Sequence, residues 1–140
     1  MSFLVILTIC ILIAISILHI YWANGGKFAL DNAIPTTIKG IKVFNPGKLL
    51  TFLVSVLLLV FAYVAYILQF DNLNLLFTNY YMIAGKIVST IFIIRVIGDF
   101  KYIGIFKKIQ NTPFAIYDSK YYIPLCFIIS VIFFNLVNNF

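Results

Sequence analysis

The chain has 140 residues, of which 64% are hydrophobic and only 10% charged, with a formal net charge of +6. A soluble domain carries roughly 45–50% apolar and about 25% charged residues, and no single soluble domain of this length has the interior to hide such an excess. That excludes a soluble enzyme. The positive charge is not a nucleic-acid signal either, because the basic residues sit at the ends of apolar runs, where charge sets membrane orientation.

The composition predicts an all-α, integral membrane four-helix bundle forming a single domain over residues 1–140. Backbone groups in lipid must pair within their own segment, which makes the apolar runs helices rather than strands. Four runs stand out, at residues 3–23, 49–70, 80–98 and 121–137. The first has no Lys or Arg before it, is too long for a signal-peptide core and lacks a small-residue cleavage site. It is read as a retained helix.

In that first run Thr8, Leu12, Ser16 and His19 recur at i, i+4, i+8 and i+11 and share one face. This polar seam is expected to face the bundle. Tyr21 and Trp22 close the run as interfacial aromatics. Asn24-Gly25-Gly26 supplies residues that tolerate positive φ and stop the helix. The following loop, 24–48, is long for a bundle connection, so it is either ordered against the membrane or functional. Asn45-Pro46 reads as the start of the second helix. Along that helix Ser55, Ala62, Ala65 and Gln69 mark a packing side.

Residues 71–79 read as a short turn that makes the second and third helices antiparallel neighbours. The third helix carries Gly85, Ser89, Phe92, Arg95, Val96 and Asp99 on one broad face, and Gly85-xxx-Ser89 suits close helix approach. Arg95 and Asp99, four apart, are expected to pair across one turn. Lys86 points elsewhere. Beyond Asp99, Tyr102, Ile105, Phe106 and Ile109 fall at i, i+3, i+4 and i+7. This predicts a short amphipathic interfacial helix in the second cytoplasmic loop. Its Lys101, Lys107 and Lys108 would face anionic headgroups of the lipid bilayer. Asp118 or Ser119 is expected to cap the fourth helix, with Tyr121 and Tyr122 as interfacial anchors.

The loops at 24–48 and 99–120 each hold four lysines, whereas the 71–79 turn and the tails hold no Lys or Arg. Positive loops stay in the cytoplasm, so both termini are expected outside the cell membrane. Cys10 and Cys126 form no CxxC pair and are expected to differ in depth by roughly 15 Å at 1.5 Å per residue. Both are read as free, buried thiols. With one histidine, no bis-histidine haem or self-contained zinc site is expected, and the spacings fit no cofactor motif.

These directions bring His19, Trp22, Arg95, Asp99, Tyr122 and Cys126 to one depth near the cytoplasmic face, as a candidate polar pocket. Ionisable groups at membrane depth mark function. Each member also has a plainer reading: a topology-fixing ion pair for Arg95 and Asp99, a hydrogen-bonded interfacial His19, a small buried hydrophobe for Cys126.

Three sequence blocks resemble a family. His19-Ile20-Tyr21-Trp22-Ala23-Asn24-Gly25-Gly26 is similar to an H-x-Y-W-x-x-G-G segment. Residues 95–107 resemble an R-x-x-G-D-F-R-Y-x-G-F-F-K run, with Lys101 in place of Arg and Ile105 in place of one Phe. Thr112-Pro113-Phe114-Ala115, Asp118 and Tyr122-Ile123-Pro124-Leu125-Cys126 resemble a closing T-x-F-A…D…Y-x-P-L-C block. The family so marked comprises small bacterial four-helix membrane proteins grouped as the domain of unknown function numbered 3995. The resemblance implies an integral membrane protein and supplies no mechanism.

Three functional readings follow from the residues: a lipid- or partner-binding module, a membrane enzyme acting on a lipid-like substrate with His19 as acid/base, or a subunit of an oligomeric transporter. The last would be a homo-oligomer, because four short helices enclose little pore.

Overall fold

The computed structural model describes residues 2–70 and 75–139. The order of elements is α1 (Ser2–Ala23), α2 (Leu30–Ala33), α3 (Lys48–Phe70), α4 (Leu75–Ile97), α5 (Pro113–Tyr117), a π-helical turn (Asp118–Tyr122) and α6 (Ile123–Asn138). Among the described residues, four stretches are long and apolar enough to cross a membrane, the last running continuously from Pro113 to Asn138. The protein is a multi-pass membrane bundle of four long helices. Many of its large apolar side chains, such as Phe3, Ile17, Leu53 and Phe134, point outward. That arrangement is stable where the surroundings are lipid.

α1 packs along α3, and α4 packs along α6 as a second pair, with α3 touching both α4 and α6. The core lies where the pairs meet and includes Leu12, Phe61, Ala65, Phe92, Ile129 and Phe133. The polar seam of α1 faces inward as expected: Thr8, Leu12 and Ser16 are buried. Ser16 donates to the Ser55 carbonyl at 2.8 Å, tying α1 to α3. Ser89 and Ser130 donate to each other's carbonyls, each at 2.9 Å, tying α4 to α6. Gly85 lets these helices close, since a Cβ there would meet Val137 and Leu68.

α1 ends as its Asn-Gly-Gly signal requires. Gly25 adopts φ 94°, its N–H reaches the Trp22 carbonyl, and the Gly26 N–H reaches that of Tyr21. This is the Schellman pattern. The loop that follows is locally ordered. Thr36 and Lys42 bridge as an antiparallel pair, the Val43 N–H donates to the Pro35 carbonyl, and Lys42 meets Asp31 at 3.2 Å. α3 starts at Lys48, not at Asn45-Pro46, with the Thr51 N–H and hydroxyl both on the Gly47 carbonyl. Of the expected 71–79 turn, residues 71–74 lie outside the described set, and α4 begins at Leu75.

The largest departures lie between α4 and α6. Residues 98–112 contain no helix, so the amphipathic interfacial helix is not formed. Its four apolar positions share a period, but Gly104 sits among them at φ 88° and Phe100 precedes them at φ 62°. Neither angle is helical. The final helix starts at Pro113, capped by the Thr112 hydroxyl accepting from the Ala115 N–H. Asp118 and Ser119 are therefore inside it and cap nothing. Cys10 and Cys126 are free, as expected, but Cys10 is exposed on α1 rather than buried.

Candidate functional site

Asp118 organises the end of the bundle where both basic loops meet. Its side chain is fully buried. A carboxylate without water needs its charge answered by protein groups, and here both oxygens are engaged. Oδ1 accepts from Arg95 Nη2 at 2.8 Å. Oδ2 accepts from the Gly104 N–H at 3.0 Å and from Lys107 Nζ at 3.0 Å. The π-turn begins at Asp118, whose carbonyl accepts the Ile123 N–H, and joins α5 to α6. Such turns frequently occur at functional sites.

Lys107 was expected to face headgroups. Instead its side chain is 2% exposed, and its ammonium donates to Asp118, to the Ser119 hydroxyl at 2.7 Å and to the Gly104 carbonyl at 3.3 Å. All three of its donors are thereby used. Lys101 and Lys108 remain exposed.

The expected Arg95–Asp99 pair is not formed. α4 stops at Ile97, and Gly98 adopts φ 80°, which takes Asp99 off the helix face it would have shared with Arg95. Asp99 Oδ1 instead accepts the backbone N–H groups of Lys101, Tyr102 and Ile103 at 2.7–2.9 Å. Partial burial pushes its carboxyl up, but these N–H groups together outweigh that and hold it below the ordinary carboxylate range. Gly98 and Gly104 permit the crossing. A Cβ at Gly98 would strike the Ile103 carbonyl and one at Gly104 that of Ile97. The crossing delivers the Gly104 N–H to Asp118.

His19 and Trp22 occupy a different corner. Their rings meet edge to face at 5.0 Å. Both line a cavity of about 190 Å³ between α1, α3 and the first loop, with Ile34, Phe44, Thr51 and Val54 among its walls. His19 Nδ1 bonds the Ile15 carbonyl at 2.8 Å, and Trp22 Nε1 donates to the Phe28 carbonyl at 2.8 Å. Tyr122 links the two corners. Its hydroxyl donates to the Asn32 carbonyl of α2 at 3.2 Å, and the charges of Asp118 and Arg95 act on it. Cys126, half-buried, lies within reach of the same two charges.

Of the six candidate residues, Arg95, Tyr122 and Cys126 gather around Asp118. His19 and Trp22 line the cavity, and Asp99 shapes the loop between α4 and α5. Asp118, Lys107, Ser119 and Gly104 were missed as site members. A signal existed for Asp118, since it is one of only four acidic residues in the chain and stands at the start of an apolar run. An acid there is a candidate for a buried partner of a cation.

A family described as Protein of unknown function (DUF3995) matches residues 12–133. The chain belongs to that family. A search of curated proteins and of solved structures finds no match. In this member of the DUF3995 family, Arg95, Gly98, Asp99, Gly104, Lys107, Thr112 and Asp118 are the residues that build the loop and its buried ion cluster.

Proposed function

We propose that this protein is a non-enzymatic membrane module that holds an anionic lipid headgroup at the Arg95–Asp118–Lys107 cluster, on the cytoplasmic side of the cell membrane. One observation carries the reading. Two cations share a single buried carboxylate, and the second guanidinium nitrogen of Arg95, Nη1, is buried without an acceptor among the described residues. A buried donor of this kind is costly unless something accepts from it. A phosphate or carboxylate oxygen answers both the free N–H and the surplus positive charge. Exposed Lys101, Lys108 and Lys120 add attraction for anionic lipid in the same region.

Mass spectrometry of lipids that co-purify with the full chain in mild detergent tests this. Wild type should retain anionic lipid over zwitterionic lipid. Arg95→Ala should lose that enrichment, and Arg95→Lys, which keeps charge without the planar fork, should keep part of it. An unchanged lipid profile in folded Arg95→Ala removes the proposal.

A further inference from the structure

The cavity at His19 is separate in residues from the Arg95 cluster, and its chemistry is different. Its walls are mostly apolar and include the aromatic residues Trp22 and Phe44. The polar side chains around it are largely occupied. The Trp22 N–H is spent on the Phe28 carbonyl and the Thr51 hydroxyl on that of Gly47. A carbonyl can only accept, so the bond to Ile15 places a proton on His19 Nδ1. In the neutral ring that leaves Nε2 as a hydrogen-bond acceptor. The volume of about 190 Å³ exceeds the roughly 150 Å³ of an apolar cavity that holds benzene. The difference accommodates a hydroxyl and a short substituent.

We infer that this cavity is a binding site for a phenolic ring, which packs against Trp22 and Phe44 and donates its hydroxyl to His19 Nε2. The ligand must bring a donor, because the cavity supplies an acceptor. A single ring with a short substituent matches the cavity's volume. The first loop closes the site from the side of α2, whose Leu30 and Ala33 are walls and whose Asn32 is held by Tyr122.

Trp22 is the chain's single tryptophan, so its fluorescence reads the cavity directly. The full chain in detergent micelles is titrated with para-ethylphenol and with para-ethyltoluene, which has a similar shape and no hydroxyl. Wild type should respond saturably to both and prefer the phenol by about five- to tenfold, the worth of one net hydrogen bond. His19→Leu should reduce that preference to within about twofold. Ala33→Phe, which fills the cavity from α2, should abolish the saturable response to both probes while the helical circular dichroism is kept. Lys86→Gln, on the exposed side of α4 and outside both sites, should leave both titrations unchanged. Equal affinity for the two probes in wild type, a phenol preference that survives His19→Leu, or a saturable response that survives Ala33→Phe would each overturn the inference. So would the absence of any saturable response in wild type.

Discussion

Asp118 has no route to water, so its charge is balanced entirely from within the protein. Removing one partner of a buried ion cluster leaves the others uncompensated, at about 3–5 kcal/mol. Asp118→Asn is therefore expected to destabilise the bundle by that amount, measured by unfolding in mixed detergent and SDS micelles. Lys107→Met should cost less, because Asp118 keeps Arg95 and the Gly104 N–H. If Asp118→Asn costs no more than Lys107→Met, the carboxylate is not the centre of the cluster. Asp99 behaves differently, being exposed and bonded to backbone rather than to cations. Its folded-state pKa is depressed. Its contribution to loop order is thus complete above about pH 4, the unfolded value, and is lost as pH falls through the lower folded value. The amide resonances of Lys101, Tyr102 and Ile103 should shift together on acidification, with a midpoint below that of an ordinary aspartate. A midpoint at or above the ordinary value would show that the three N–H bonds do not hold the carboxylate.

Among the elements, the long helices could be read directly, because an apolar run near 20 residues has one solution in lipid. The inward faces could be read too. The seam of Thr8, Leu12 and Ser16 and the Gly85–Ser89 face both turned to the core. The segment from Gly98 to Thr112 could not. Four apolar residues at helical spacing were outweighed by two positive-φ positions and by Asp99 taking the N–H groups of the first would-be turn. Periodicity counts side chains, whereas this loop is decided by backbone hydrogen bonds, which leave a fainter trace in sequence. The contact between α4 and α6 gives a test at this scale. Ser89→Ala removes one hydroxyl of the reciprocal pair, and polar contacts between membrane helices average about 0.6 kcal/mol. Gly85→Leu should cost more, about 1–3 kcal/mol, since its side chain must displace Val137 and Leu68. SDS-induced unfolding should rank Gly85→Leu below Ser89→Ala in stability. The reverse order would mean that the serine pair, not the close approach, holds these helices together.

For the whole molecule, the sequence placed the six candidate residues at one depth, but depth alone cannot say which neighbours share a corner. That depends on helix rotation and on the two loops. The contacts of α2 with α5 and the Tyr122–Asn32 bond bring both loops to the same end of the bundle, which reduces orientation to a single choice of side. Lys27, Lys39, Lys42, Lys48, Lys101, Lys108 and Lys120 are exposed in or beside those loops, while Lys107 is neutralised internally by Asp118. Lys86, also exposed, lies at the midpoint of α4, away from those loops. The final span, Pro113–Asn138, has 26 residues, about 39 Å as a helix. That exceeds the roughly 30 Å hydrocarbon core, which lets its first turns, with Asp118, stand in the headgroup region beside those lysines. Exposed cations there favour the cytoplasmic side, so a periplasmic-type phosphatase fused at the C-terminus should be active and a fluorescent protein fused there dark. Lys107→Met should leave this pattern unchanged, because its charge is already paired. Replacing Lys39, Lys42, Lys101 and Lys108 together by Gln should turn part of the population over. A bright C-terminal fluorescent fusion in the wild type would reverse the topology and would put the Arg95 cluster on the opposite membrane face, out of reach of cytoplasmic-leaflet headgroups.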